Sequence, residues 1–111
     1  MASTMTRILK LQSDGVTHAI PVRLSWPIQD DQAWDCRWEI GWPDGPRANS
    51  GRGVDEIQAL MNALTMIGAE IYASEAHKVG RLSWRDDWRG YGFPVMANLR
   101  DMLGGDDGKF L

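Results

Sequence analysis

Residues 54–74 read VDEIQALMNALTMIGAEIYAS, and this stretch decides the fold. Large apolar side chains recur in it at spacings of three and four residues, which is the period of one face of an α-helix. Asp55 and Glu56 suit the positive end of the helix dipole at its start. At ~1.5 Å per residue the helix would be roughly 30 Å long, enough to cross a small sheet. The side chains predicted to face that sheet are Ile57, Leu60, Leu64, Ile67 and Ile71.

A strand with strict alternation precedes the helix. Residues 34–42 read WDCRWEIGW, so bulky apolar residues alternate with Asp, Arg and Glu. This alternation is typical of a strand that buries one face. The predicted buried face consists of Trp34, Cys36, Trp38, Ile40 and Trp42.

Residues 7–12 and 18–26 are predicted as two earlier strands, and residues 27–32 as the loop after them. Pro21 cannot donate to a ladder, so its strand is expected to be an edge or to carry an unpaired position there. A fourth strand over residues 47–52 is weakened by neighbouring glycines. The sequence therefore predicts an α+β fold, with an antiparallel meander of three to four strands, one long helix across one face and a short C-terminal segment.

The C-terminal third carries weaker signals. Residues 95–103 are predicted as a short helix, and the sequence leaves open whether this segment closes the sheet face. Gly68 in the middle of the long helix either receives a packed backbone or ring, or is simply tolerated. Residues 1–5 and 104–111 are expected to be mobile ends of a single domain, residues 1–111. The inward side chains of the short helix would be Val95, Met96, Leu99, Met102 and Leu103.

Size and charge narrow the function classes. A chain of 111 residues is expected to form one domain, and twelve Lys and Arg against fifteen Asp and Glu give a net charge of −3. This balance does not favour nucleic acid or an anionic membrane as a general partner. No apolar run approaches a membrane span and no secretory signal is present, so we expect a cytoplasmic protein. The single cysteine, Cys36, is predicted to be a buried, inert thiol.

One set of motifs resembles a known family. The segment from Arg52 to Leu60, which reads RGVDEIQAL, is followed by Leu82-Ser-Trp84 and then by Gly92-Phe-Pro94. This pattern is similar to that of a family of small uncharacterised bacterial proteins with a Gly-Val-Asp-x-x-Gln-Ala-Leu helix start and a late Trp…Gly-Phe-Pro element. The resemblance covers about residues 6 to 94, and it implies a fold without implying a catalytic role.

Catalytic and metal signals are weak. His18 and His77 are the only histidines, and neither has a ligand spacing with Cys36. The acid pairs at 30–31, 86–87 and 106–107 lack the spacing of a calcium loop, so we expect solvated loops there. We therefore predict no catalytic residue, no metal site and no cofactor.

Two groups of residues are candidate binding sites. The first is an arginine and aromatic cluster, which can stack on a ligand or instead cap the core while its arginines pair with Asp86 and Asp87. The second is a polar trio where the long helix begins, which can recognise a ligand or instead cap the first turn. The first group is Arg81, Trp84, Arg85, Trp88, Arg89 and Tyr91; the second is Arg52, Asp55 and Gln58.

Six tryptophans exceed what a small core easily encloses, which indicates an interface for a protein partner or a second copy. The leading hypothesis is a small non-enzymatic module that acts through protein contacts, for example as an immunity-like or regulatory partner. The first alternative is a small-molecule-binding protein or enzyme with a pocket between helix and sheet, lined by Trp34, Trp38 and Trp42. The third is nucleic-acid binding through residues 81–91.

Overall fold

The computed structural model describes residues 4–111, which form an antiparallel sheet of six strands with one long helix across one face. The α+β class is therefore confirmed, with more strands than predicted. The strands are β1 (Thr4–Ser13), β2 (Val16–Ser25), β3 (Ile28–Asp30), β4 (Ala33–Ile40), β5 (Arg47–Gly53) and β6 (Leu82–Ser83). The helices are α1 (Glu56–Ala73), α2 (Glu75–Lys78) and α3 (Gly105–Phe110), and a 3₁₀ turn spans Ala97–Met102.

The sheet is a meander with β4 near its centre. β1 pairs with β2 along its whole length, β2 pairs with β4, and β4 pairs with β5 on its other side. After a break at Trp26 and Pro27, β3 continues the pairing of β2 with β4. The predicted loop at residues 27–32 thus contains a short strand, and the uncertain fourth strand exists as β5.

Pro21 lies inside the sheet rather than at its edge. β2 runs between β1 and β4, and the Gly41 N–H donates to the Pro21 carbonyl at 2.9 Å just beyond the end of β4. Because Pro21 has no N–H, the ladder lacks one bond at this terminal position. Of the two predicted alternatives, the unpaired position is therefore the one that the structure shows.

The core lies between the sheet and α1. Cys36, Trp38 and Ile40 are buried on the side of β4 that faces the helix, as the alternation predicted, and Trp34 packs against their cluster. Glycine residues of β5 make the helix contact unusually close. A Cβ at Gly51 would overlap the backbone nitrogen of Ala63, so the two backbones nearly touch.

The buried face of α1 differs from the predicted stripe. Ala59 and Ala63 are fully buried, whereas Ile57 is 69% exposed, so its predicted inward position is wrong. Small residues face β5 because only they allow the close approach that the glycines permit, and this rotates Ile57 outward. Of the other predicted inward residues, Leu60 and Leu64 are half-buried, and Ile67 and Ile71 are buried.

The chain after β6 returns to cover α1. A Cβ at Gly68 would overlap the carbonyl oxygen of Pro94, so a backbone packs directly against this glycine. Phe93 is buried beside it and belongs to the core cluster. The structure therefore answers both open questions, because the C-terminal segment packs onto the helix and Gly68 makes room for it.

The predicted helix at residues 95–103 is a 3₁₀ turn that begins only at Ala97. Leu103 packs against the core, but Met96, Leu99 and Met102 are exposed, so their predicted inward positions are wrong. The segment packs against the rest of the protein near Pro94 and again at Leu103, and the turn between these points is exposed. Of the predicted mobile ends, residues 1–3 lie outside the described residues, Thr4 and Met5 belong to β1, and α3 occupies residues 105–110.

Candidate functional site

The predicted arginine and aromatic cluster falls into two places. Trp84, Arg85 and Trp88 lie together in a tight turn after β6, in which the Trp88 N–H donates to the Arg85 carbonyl at 3.3 Å. Arg81 instead lines a groove beside the C-terminal end of α1. Tyr91 is buried, and it anchors the turn from below. Trp84, Arg85 and Trp88 of the predicted cluster therefore lie together, whereas Arg81 lies apart from them.

The guanidinium of Arg85 is held within its own turn. It donates to both carboxylate oxygens of Asp87, each at 2.7 Å, and its Cζ lies 5.7 Å from the centre of the Trp84 ring. Hydrogen bonding in this pair raises the pKa of Arg85 and lowers the pKa of Asp87. Because both groups are exposed, the pair orients Arg85 beside the ring more than it stabilises the fold.

The carboxylate of Asp107 organises the C-terminal part of the molecule. This residue is fully buried, and it accepts hydrogen bonds from the hydroxyl of Tyr72 at 2.5 Å and the indole N–H of Trp88 at 2.7 Å. The backbone N–H groups of Tyr91 and Gly92 donate to it at 2.7 and 2.8 Å. Four donors satisfy the acceptor capacity of one carboxylate, which is how a buried charge is tolerated. The expectation of a solvated loop at Asp107 is therefore wrong.

Arg7 of β1 holds the same two residues from the opposite side. Its Nη1 donates to the carbonyls of Tyr91 and Gly92 at 3.1 and 2.8 Å. Burial lowers the pKa of Arg7, while the charge of Asp107 raises it. A cation thus binds the carbonyls and an anion binds the N–H groups of one short backbone stretch. We call this arrangement the Arg7–Asp107 clamp.

A cluster of three rings adjoins the clamp. Tyr72, His77 and Tyr91 contact one another edge to face, and His77 Nδ1 lies 2.5 Å from the Tyr91 hydroxyl. Burial raises the pKa of Tyr72 and raises the pKa of Tyr91 to about 12, and it lowers the pKa of His77. A protonated Tyr91 can therefore donate to an unprotonated His77 at neutral pH. These titratable groups are engaged with one another, and their arrangement positions the backbone of residues 91–92.

The clamp supports a row of aromatic rings at the surface. Trp84 and Trp88 are 6.1 Å apart between ring centres, and Phe110 of α3 lies 5.7 Å from Trp88. Phe110 is 67% exposed. A depression of about 360 Å³ beside the rings is bounded in part by Arg85 and Leu111. We call Trp84, Trp88, Phe110 and Leu111 the aromatic surface.

The polar trio at the start of α1 acts as a cap. Asp55 accepts the N–H of Gln58 at 2.8 Å, and the side chain of Gln58 accepts the N–H of Val54 at 2.8 Å. Arg52 instead pairs with Asp35, whose carboxylate oxygens lie 3.1 and 3.2 Å from it. The polar atoms of Asp55 and Gln58 therefore cap the start of the helix, and those of Arg52 bind the sheet. This arrangement corresponds to the capping alternative.

A groove of about 760 Å³ lies beside the C-terminal end of α1. Trp42 lines it, but Trp38 is buried and Trp34 does not line it, so only one of the three predicted pocket tryptophans lies there. An ion pair between Arg47 and Glu70, 2.9 Å apart, lies at the groove. The groove is open and carries charges of both signs.

The thiol of Cys36 is buried and donates to the Ser25 carbonyl at 3.2 Å, and burial raises its pKa. These features fit the predicted buried thiol. Within residues 4–111, no group of three or more His, Cys, Asp and Glu residues is placed to hold a metal ion. None of the helices in that range is long and apolar enough to cross a membrane.

Sequence reasoning missed several residues of this site, namely Arg7, Tyr72, Phe110 and Asp107. Only Arg7 left a signal, because it interrupts the apolar alternation of Met5, Leu9 and Leu11 on the inward side of β1. Asp107 left none, since its four donors come from α1 and from residues 88–92, both distant from it in the chain.

A family model described as Domain of unknown function (DUF6968) matches residues 5–95. The matched range includes Arg7, Trp84, Trp88 and Tyr91, and it ends before Asp107. Comparisons with curated proteins and with solved structures found no match.

Proposed function

We propose a function for this chain, which belongs to the DUF6968 family of domains of unknown function. The proposal is based on the geometry of the aromatic surface. The domain is a small non-enzymatic module that binds a protein partner in the bacterial cytoplasm, in an immunity-like or regulatory role. One observation carries the proposal. Phe110 is 67% exposed and extends the ring row of Trp84 and Trp88 beside the oriented guanidinium of Arg85.

Aromatic and arginine side chains contribute most of the binding energy in many protein interfaces. Here the Trp88 ring and the Arg85 guanidinium are also held in place before binding, by Asp107 and by Asp87. Side chains that are already ordered lose little entropy when a partner covers them, so affinity per unit area is higher. The pairing of Arg85 with Asp87 favours a protein partner over nucleic acid, because it cancels the local positive charge.

The test is affinity capture of the tagged protein from lysate of its host, compared across three variants. Phe110→Ser and Arg85→Ala change the proposed surface. Ile57→Ser is the matched control, because Ile57 is 69% exposed on the far helix face. We expect one stoichiometric partner that is lost from the first two variants and retained by the control. The purified partner should then bind Phe110→Ser about tenfold more weakly than the unchanged protein.

Equal capture by all variants would contradict the proposal. So would loss from Ile57→Ser alone, because it would move the interface to the start of α1. Thermal unfolding of each variant provides the folding control, since Phe110 and Arg85 are largely exposed and their replacement should leave the midpoint within a few degrees.

A second candidate function is small-molecule binding in the groove that Trp42 lines. Its size of about 760 Å³ is within the usual range for ligand sites. A screen that follows tryptophan fluorescence tests it, with Trp42→Phe as the variant that should lose the signal. Hits that persist in Trp42→Phe would count against this groove as the site.

A further inference from the structure

We infer that the partner docks as an extended acidic segment, which adds as a strand to the open edge of β1 between Thr4 and Leu9. This inference rests on the proposed function and names the chemistry of the partner. Strand addition takes its affinity from backbone hydrogen bonds and its selectivity from alternate side chains. The β1 edge and the β5 edge of the sheet differ in which of their outward backbone groups are already bonded.

Two outward backbone groups of the β5 edge are already bonded to side chains. The Asn49 side chain accepts the outward N–H of Ser50 at 2.8 Å, and the Asn62 side chain of α1 donates to the outward carbonyl of Arg52 at 2.6 Å. An added strand would have to break both bonds. These two bonds make strand addition at β5 less favourable than at an edge whose outward groups are free.

The β1 edge is open over its first half. The N–H of Gln12 donates to the Arg81 carbonyl at 2.9 Å, so every second residue of β1 points its backbone groups toward β6. β6 covers only Lys10 and Leu11 before the chain turns away at Trp84. Within residues 4–111, the outward N–H and carbonyl groups of three residues have no hydrogen-bond partner: Thr4, Thr6 and Ile8.

This edge is continuous with the aromatic surface. The guanidinium carbon of Arg7 lies 3.9 Å from the centre of the Trp84 ring, so a strand placed in line with β6 would pass beside that ring. Side chains of the added strand would alternate between its two faces. One set would meet Trp84, and the other would lie beside Ile8, which is 47% exposed.

The charge of the β1 edge indicates which kind of strand would bind there. Residues 4–12 contain no acidic residue, and of their two cations Arg7 is already bonded to the carbonyls of Tyr91 and Gly92, which leaves Lys10 for a partner. Lys10 forms no ion pair among the described residues. A second copy would bring one cationic strand against another, whereas an acidic segment would complement this edge.

The probe is an acetylated and amidated heptapeptide in which valine alternates with glutamate, and its control has lysine in place of glutamate. Binding is followed by amide hydrogen exchange of the full-length protein. We expect the acidic peptide to slow exchange at Thr6 and Ile8, and the lysine peptide to bind about tenfold more weakly. The inference is overturned if millimolar acidic peptide leaves these amides unprotected. It is also overturned if protection without peptide rises with protein concentration, because a second copy would then occupy the edge.

Thr6→Pro removes the outward N–H without removing a bond to β2, and Thr6→Val is the matched control that keeps the N–H. We expect Thr6→Pro to weaken peptide binding at least tenfold and Thr6→Val to preserve it. Ile8→Pro repeats the test if Thr6→Pro unfolds. Equal binding by the proline and valine variants would overturn the inference.

The same variants separate this inference from the proposed function. A partner captured by Thr6→Pro but lost from Phe110→Ser would leave the binding module standing and overturn strand addition. A partner lost from both variants but retained by Thr6→Val would support both.

Discussion

Two regions pack onto α1, each with a backbone-to-glycine contact, but only the second is also held by buried polar groups. On one side, Gly51 and Gly53 of β5 lie against the helix backbone at Ala59 and Ala63. On the other side, the C-terminal segment is fixed by the charged groups of the Arg7–Asp107 clamp. The first contact is possible because glycine has no Cβ. The second depends on buried polar atoms that all have hydrogen-bond partners.

The difference shows why the two regions should respond to different changes. Close packing of backbones tolerates no added volume, because neither side can move without disturbing the sheet or the helix. A buried carboxylate tolerates shape changes poorly as well, but its stability also depends on each of its donors and on its charge. A substitution that adds side-chain volume therefore tests the first region, and one that removes a charge tests the second.

The largest effect is expected from Gly51→Ala. The new methyl group would overlap the backbone of Ala63, which cannot move away as a flexible side chain would. We expect the free energy of unfolding to fall by about 3 kcal/mol in a denaturant titration. Gly104→Ala is the control, because a Cβ there meets nothing within 4 Å. A loss no larger than that of the control would show that the β5 contact is looser than described.

A smaller loss, of about 2 kcal/mol, is expected from Asp107→Asn. The amide keeps the shape but places donor hydrogens against two of the four donors that now bind the carboxylate. Exchange of the α3 amides should rise more than that of the β2 amides, since the clamp alone is released. Asp101→Asn is the exposed control. A uniform rise across the sheet would instead indicate global destabilisation and would count against a local role.

Asp55→Ala tests α1 without touching either region. The residue caps the helix by accepting the Gln58 N–H, and loss of such a cap costs about 1 kcal/mol. Partner capture should be unchanged, because the cap lies away from the aromatic surface. Lost binding with unchanged stability would reverse the interpretation of this residue.

The smallest effect is expected from a pH titration of the unmodified protein. Tyr72 and Tyr91 are its only tyrosines, and burial raises the pKa of both, that of Tyr91 to about 12. The folded state therefore keeps its phenol protons above pH 10, and stability should fall as pH rises from about 10 towards 12. Tyrosinate absorbance should appear near pH 10 in the denatured protein and well above it in the native one. Native titration near pH 10 would mean that the ring cluster is open to solvent.

The sequence predicted α1 well because its signals are local. Asp55 caps the helix three residues before Gln58, and the apolar period is visible within the segment. The same segment predicts the buried positions of Ile67 and Ile71 correctly, but it places the exposed Ile57 on the buried face. That face depends on the glycines of β5, which lack side chains and so leave no apolar pattern to recognise.

The site was predictable only in part for the same reason. Trp84, Arg85 and Trp88 are close in the chain, and their clustering was visible. Phe110 and Asp107 join them from about twenty residues away, through bonds that no spacing rule describes. Two adjacent acids in a glycine-rich stretch ordinarily lie in solvent, and only the four donors around Asp107 overturn that expectation.

The sequence by itself determined the α+β class, the strand alternation before the helix and the start of α1, because period, turn chemistry and capping act between near neighbours. The tertiary structure decided the exposure of Ile57 on α1, the burial of Asp107 and which outward backbone groups of the two sheet edges are bonded. Each of these depends on groups from distant segments meeting at hydrogen-bond or van der Waals distance. The physical reason is that burial and pairing are properties of the assembled surfaces, which no single segment possesses.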